Sequence, residues 1–138
     1  MHKADIDCVA GGPPCQGFSN AGRGDPDDPR NSLFKDYLRV VRKIRPKSIV
    51  FENVPGFANR YGKGLRERLI RELDKMDYRI DHSVLQAHDY GVPQLRKRFF
   101  CIGIHRDWCE SEGVELPEAT WTKKEIESKL TTRKAIGD

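Results

Sequence analysis

No stretch of this sequence is apolar for long enough to cross a membrane, and Met1-His2-Lys3-Ala4-Asp5 lacks the layout of a secretion signal. The expected location is therefore the cytosol, or the nucleus in a eukaryote. Cysteine is sparse: the four, at positions 8, 15, 101 and 109, form no Cys-x-x-Cys pair, and the four histidines are scattered. That spacing argues against a zinc site, so no metal is expected, and in a reducing compartment the thiols stay free. Cys8 and Cys101 sit inside apolar runs and read as buried small hydrophobes, and Cys109 as a surface or loop residue. Internal repeats and low-complexity segments are absent too.

What is present fits one domain with one core: 138 residues, 37% hydrophobic and 33% charged. The net charge of +4 does not by itself identify an anionic partner. Basic residues cluster at Arg39, Arg42, Lys43, Arg45 and Lys47, and again at Arg96, Lys97 and Arg98. The default reading of such runs is a solvated helix face or loop.

Strand-like and helix-like segments alternate. Residues 5–10 read as a short apolar strand, and 11–29 as a long loop rich in Gly, Pro, Asp and Asn. Asn31 or Ser32 then caps a helix whose apolar positions Leu33, Phe34, Tyr37, Leu38, Val41 and Ile44 recur at helical spacing, and Pro46 ends it. A buried strand over 48–51 runs into Glu52-Asn53-Val54. A second amphipathic helix spans about residues 64–76, with Leu65, Leu69, Ile70, Leu73 and Met76 on one face. A strand over 79–86, a turn at Tyr90-Gly91-Val92-Pro93 and a strand over 98–104, apolar on both faces and so central, complete the series. The polar tail from Asp107 reads as loop with a short helix over 123–130. The fold class is therefore α/β, a mostly parallel sheet covered by helices. The last two strands pair antiparallel because the turn between them is too short for a crossover.

In open α/β sheets ligands bind beyond the carboxyl ends of the strands. The first strand ends in Gly11-Gly12-Pro13-Pro14-Cys15-Gln16-Gly17-Phe18-Ser19, and the second in Glu52-Asn53-Val54. A thiol and a carboxyl thus converge on one crevice. The prolines stiffen the loop before Cys15, and the glycines let a partner come close. A cysteine-protease reading fails, since no histidine stands at either strand end to serve as base; His88 and His105 read as surface or turn residues. The Cys–Glu pair suits another reaction. A thiolate adds to C6 of a pyrimidine while a carboxylic acid supports N3, which makes C5 nucleophilic. For that role Glu52 should be partly desolvated, because burial favours a neutral acid over its anion.

Three segments carry a resemblance: Pro13-Pro14-Cys15-Gln16-Gly17-Phe18-Ser19, then Glu52-Asn53-Val54, then Gln94-Leu95-Arg96-Lys97-Arg98. They resemble, in the same order, three signature motifs of the DNA cytosine-C5 methyltransferases. Asp27-Asp28-Pro29-Arg30-Asn31-Ser32-Leu33-Phe34, Ala87-His88-Asp89-Tyr90-Gly91-Val92-Pro93 and Thr132-Arg133-Lys134-Ala135-Ile136-Gly137-Asp138 are similar to the family's linking text, with the match weakest from 107 to 130. One Pro-Cys-Gln is a weak signal; three motifs in order are a strong one.

The resemblance implies a fragment of a Rossmann-like, S-adenosylmethionine-dependent methyltransferase fold, and methylation of cytosine C5 in double-stranded DNA. In that frame Cys15 attacks C6 and Glu52 holds N3 and the exocyclic amine. Arg96 and Arg98 lie beside the flipped base and support Glu52 and the cytosine carbonyl. Asn53 braces the Pro-Cys loop. Gln16 and Ser19 contact the DNA backbone, and Pro13 and Gln94 belong to the same DNA-binding set. Pro14 and Leu33 touch S-adenosylmethionine, and residues 17–30 close over the DNA as a lid. The target base must leave the helix, because stacking hides the face that the thiol attacks.

The family's Gly-rich donor loop precedes the Pro-Cys-Gln motif, whereas here only Met1–Gly12 does, and Gly22-Arg23-Gly24 and Gly62-Lys63-Gly64 stand in the wrong contexts to replace it. The expectation is a catalytic core fragment over 1–106 and a linker over 107–138 leading toward a target-recognition region that is absent. A second chain would supply the missing parts, and the chain alone would have poor stability and little activity. The alternative is a catalytically silent DNA-binding or assembly subunit that keeps the motifs. An RNA methyltransferase of the same branch ranks lower, because the motifs look more like those of the DNA enzymes. Bacterial members commonly serve restriction-modification systems.

Overall fold

The computed structural model describes residues 6–14, 33–59, 63–109 and 113–121. Its elements are strand β1 (Cys8–Gly11), helix α1 (Leu33–Ile44), strand β2 (Ser48–Asn53), helix α2 (Lys63–Asp74), strand β3 (Tyr78–Gln86) and strand β4 (Lys97–His105). Short 3-10 turns at Pro55–Phe57, Ala87–Tyr90 and Arg106–Trp108 link or end them.

Helix α1 forms because Phe34, Tyr37, Leu38 and Val41, all buried, fall on one stripe. Asp36 in its first turn and Arg42 and Lys43 in its last oppose the helix dipole favourably. It stops where Arg45 takes a left-handed conformation (φ 52°) ahead of Pro46, with the Arg45 N–H still reaching back to the Val41 carbonyl at 2.7 Å.

The four strands lie in the order β1-β2-β4-β3. β1 pairs parallel with β2, while β4 pairs antiparallel with both β2 and β3. Three strands therefore share one direction and only the last runs against them, as expected. Because β4 inserts between β2 and β3, only the β1–β2 ladder is parallel. β4 is central, which explains its apolar residues on both faces.

Alternation along β2 and β4 turns Ile49, Phe51, Phe99 and Cys101 toward the helices, where they join Phe34, Tyr37, Leu38, Val41, Phe57, Leu69, Leu73 and Tyr78 in one core. Few in number, the aromatics are concentrated here: Phe51 and Phe57 rings lie 5.2 Å apart, Phe57 and Phe99 5.4 Å, Tyr37 and Phe51 5.2 Å. Such pairs add about 0.5–1.5 kcal/mol each beyond the area they bury. The Tyr37 hydroxyl faces the Val9 and Val50 carbonyls at 3.3 and 3.1 Å, tying β1 and β2 to α1, and burial pushes its phenol up. A Cβ on Gly11 would stand 2.8 Å from the Tyr37 ring, so a glycine there lets β1 reach the helix.

Two sequence expectations are corrected. Cys8 is exposed, because it alternates outward on β1, whereas Cys101 is fully buried as expected. His105 is not a surface residue: the same alternation that buries Phe99 and Cys101 carries it to the core face, 5% exposed. There it accepts from Arg45 Nη2 through Nε2 at 3.3 Å and meets the Tyr78 ring edge-on. The first strand also starts later than its apolar pattern suggests, at Cys8, with Asp7 accepting from Ser48 N at 2.8 Å. No helix among the described residues is long and apolar enough to cross a membrane.

Candidate active site

Parallel pairing of Gly11 with Phe51 brings the carboxyl ends of β1 and β2 to the same edge of the sheet. The turn between β3 and β4 opens at that edge as well, since β3 runs with β2 and β4 against it. Three segments far apart in sequence thus meet at one rim.

Phe51 and Asn53 face the helices and are buried, so the residue between them, Glu52, must face the other side of the sheet. On β4 the residue opposite Glu52 is Phe100, and Arg98 stands two residues before it on the same face. That diagonal lies within reach of long side chains. The Arg98 Nε donates to Glu52 Oε1 at 2.9 Å, in a pair about one third to one quarter exposed (Glu52 34%, Arg98 24%). The other oxygen, Oε2, lies only 2.9 Å from where a Cβ on Gly12 would sit. The carboxyl is therefore lodged between the Arg98 guanidinium and the bare backbone of Gly12.

Asn53, buried at 4% exposure, works on the opposite side. Its Nδ2 donates to the Pro13 carbonyl at 2.9 Å, and its Oδ1 accepts from Val54 N at 2.9 Å. It ties the chain just before Cys15 to the end of β2. Cys15, Gln16, Ser19 and the expected lid over 17–30 lie outside the described residues, as do the expected cap at 31–32 and the segment 122–138.

A cavity of about 440 Å³ opens beside the Glu52–Arg98 pair. Arg96 and Arg98 line it together with Glu52, and its walls are mostly apolar, with Phe100, Ile102, Leu85, Tyr90, Val92, Leu116 and Pro117 among them. Arg96 is thus brought to the same cavity, from the turn just before β4. Gln94 is exposed on that turn. Pro14 is exposed beyond β1, and Leu33 is half-buried in the first turn of α1.

Sequence reasoning missed the cavity's far wall. Leu116 and Pro117 line the cavity, and their segment, 113–121, is tied down beside it: Leu116 N donates to Asp81 Oδ2 at 2.7 Å, Tyr90 Oη to the Pro117 carbonyl at 2.9 Å, and both Thr120 N and Trp121 N to the Asp89 carbonyl at 3.0 Å. Trp121 closes on Gly91 (φ 81°), where an added Cβ would stand 2.8 Å from the indole Nε1. No apolar period marks 113–121 in the sequence. The only local signal is Gly91, a left-handed turn residue.

The basic cluster of α1 is largely neutralised by its own neighbours. Arg39 pairs with Asp36 at 3.1 Å, Arg42 with Glu72 at 2.8 Å, and Lys47 with Asp7 at 2.6 Å. The solvated-face reading holds there.

Comparison with known proteins agrees with this arrangement. The family model for C-5 cytosine-specific DNA methylase matches residues 1–138. Type II methyltransferase M.DdeI of Desulfomicrobium norvegicum is 40% identical, over 98% of this chain and 32% of its own length. Type II methyltransferase M1.HphI of Haemophilus parahaemolyticus is 48% identical, over 86% of this chain and 32% of its own. Among solved structures, a DNA modification methyltransferase encoded within an E. coli prophage superposes with a TM-score of 0.63 at 37% identity, over 77% of this chain and 28% of that one. The DNMT2 structure from Spodoptera frugiperda gives 0.60 at 25% identity, over 83% of this chain and 36% of that one. The chain spans about a third of the length of these curated relatives. With motif order, sheet topology and whole-chain match in agreement, this chain belongs to the C-5 cytosine-specific DNA methylase family.

Proposed function

We propose that this chain is the catalytic part of an enzyme that methylates C5 of cytosine in double-stranded DNA, through a covalent bond between Cys15 and cytosine C6. One observation carries the reading: Glu52 is lodged between Gly12 and Arg98 at the end of the strand beside the one that leads to Cys15, at the mouth of a cavity.

The chemistry follows from those groups. A cytosine turned out of the helix enters beside Glu52 and Arg98. Glu52 takes the N3 and exocyclic-amine edge, and the two arginines take the carbonyl oxygen. Cys15 donates its electron pair to C6 as N3 takes a proton from the Glu52 carboxyl, and the enamine so formed makes C5 the nucleophile. Once C5 carries the methyl group, loss of the C5 proton re-forms the C5–C6 double bond and the C6–S bond breaks, releasing Cys15 as thiolate. Holding the ring at N3 keeps negative charge from accumulating on it, which is electrostatic stabilisation of the kind that dominates many active sites. Asn53 acts one step back: by anchoring the Pro13 carbonyl it fixes the approach of the thiol, and small misplacements are costly. In this reading Gln16, Ser19, Pro13 and Gln94 contact the DNA.

S-adenosylmethionine supplies, when bound, a methyl group on a positively charged sulfur. Pro14 and Leu33 give it an apolar flank; the contacts to its charged end belong to polypeptide outside the described residues, in the same chain or a second one. That polypeptide also carries DNA sequence recognition. Residues 1–106 form the catalytic core in this reading, and 107–138 lead toward the recognition region. The enzyme works where DNA is, in the nucleoid or nucleus, and type II restriction-modification is the role most in keeping with its relatives.

The test is transfer of labelled methyl from S-adenosylmethionine to DNA and, in parallel, to tRNA, with the chain joined to the polypeptide that completes it. The expected product is 5-methylcytosine in DNA, abolished by Cys15→Ser. Label in tRNA alone, or none in any combination, would contradict the reading.

A further inference from the structure

The turn between β3 and β4 carries the largest solvent-exposed apolar side chain near the site. Leu95 is 88% exposed and its neighbour Val92 46%. A lone exposed leucine ordinarily needs no account. Three features set this one apart.

The first is rigidity. Gln94 N donates to the Val92 carbonyl at 2.7 Å, and Arg96 N to the Gln94 carbonyl at 2.9 Å. These are two successive three-residue turns, with Pro93 and Leu95 at their apices. Ala87 N to the Arg96 carbonyl, 2.8 Å, closes the base of the loop, and Trp121 seals it at Gly91. Leu95 is therefore held outward by a braced backbone. The second is location: the turn sits on the edge of the sheet where Glu52 and Gly12 lie, and its next residue, Arg96, lines the cavity. The third is charge. Several cations elsewhere pair with acids: Arg39 with Asp36, Arg42 and Lys75 with Glu72, Arg106 with Asp74. Arg96 and Lys97, the two residues just after the Leu95 apex, have no acidic partner among the described residues.

A rigid apolar tip followed by unneutralised cations fits a polyanion that offers an apolar slot between charged rails. A DNA base step has that form, and leucine is among the side chains that wedge between base pairs. We infer that Leu95 enters the base stack beside the extruded cytosine, while Lys97 holds the adjoining phosphate. The inference rests on the reading of the chain as a DNA methylase and adds a positioning residue to it. The wedge props open the step that the target base has left, so its effect falls on extrusion and not on the reacting atoms.

The experiment uses the full chain joined to the polypeptide that completes it, a duplex with one C·A mismatch, where extrusion is easiest, and 2-aminopurine beside the mismatched cytosine. Binding of the unaltered chain should raise 2-aminopurine fluorescence several-fold. Leu95→Ala should keep affinity within about twofold and lose most of the rise, and Leu95→Phe should restore it. Lys97→Ala should weaken matched and mismatched duplexes alike and reduce the salt slope by about one. An unchanged fluorescence rise in Leu95→Ala overturns the wedge. Trapping on 5-fluorocytosine DNA separates the two ideas. If the unaltered protein forms the Cys15 adduct and Leu95→Ala forms it equally fast, the wedge alone is wrong. If no adduct forms with the unaltered protein, the methylase reading falls and the wedge with it.

Discussion

The carboxyl of Glu52 has little freedom, since Arg98 holds one oxygen and Gly12 leaves room for the other. A methyl group at position 12 would crowd Oε2 at 2.9 Å. The carboxyl sits at the end of a flexible chain, so Gly12→Ala should cost little stability, within about 0.5 kcal/mol by urea denaturation. It should nevertheless turn the carboxyl off Arg98 and reduce methyl transfer on the order of 10²-fold. Equal loss of stability and activity would contradict this account of Gly12. Asn53→Ala should cost stability as well. It removes the partners of the Pro13 carbonyl and the Val54 N–H and should lower stability by about 1–3 kcal/mol in the same assay. At this scale much was legible. The order of the motifs pointed to Glu52, Arg98 and Asn53, and the glycines before Pro13 were expected to admit a close partner. That the partner is Glu52 itself depends on the β1–β2 register, which no local pattern encodes.

Among the elements, the turn between β3 and β4 and the segment 113–121 act as one piece. Gly91 is left-handed and covered by Trp121. Gly91→Ala should therefore cost about 1–2 kcal/mol from backbone strain alone, with a further loss from displacement of the indole. The check is a lowered melting temperature with a red-shifted emission from Trp121, measured in a Trp108→Phe background, since Trp108 is the other tryptophan and is 61% exposed. An unshifted emission would show that Trp121 does not pack there in solution. The helices and most strands were legible because their apolar residues repeat at 3.6 or 2 positions. Residues 113–121 were not, since they are held by backbone donors to Asp81 and Asp89, and such bonds leave no periodicity. Cys8 and His105 were misread for one reason: an apolar neighbourhood in sequence does not say on which face of a strand a residue falls.

At the scale of the whole molecule, burial of ionisable groups makes the fold sensitive to alkali. Burial pushes the Cys101 thiol up from 9.0 to about 12, with the nearby Asp81 carboxylate adding to the shift. Burial also pushes the Tyr78 phenol from 10.0 to about 12 and raises Tyr37. Their folded forms keep protons that the unfolded chain releases. The stabilisation is whole below pH 9 and is lost as pH climbs through 12, at about 1.4 kcal/mol per pH unit for each group in its window. Thermal melts from pH 8 to 11 should show a falling midpoint; a flat profile would contradict the burial of these groups. The same burial disqualifies Cys101 as a nucleophile, so a thiol reagent should label Cys8 in the native chain and spare Cys101.

The central claim, that Cys15 bonds to cytosine under the guidance of Glu52, is tested most directly by trapping. DNA containing 5-fluorocytosine and S-adenosylmethionine are incubated with the chain and its completing polypeptide, and the product is resolved on a denaturing gel. The account predicts a stable protein–DNA adduct, absent in Cys15→Ser and formed at least 10²-fold more slowly in Glu52→Gln. An adduct that survives Cys15→Ser, or one that forms as fast without the Glu52 carboxyl, would contradict it.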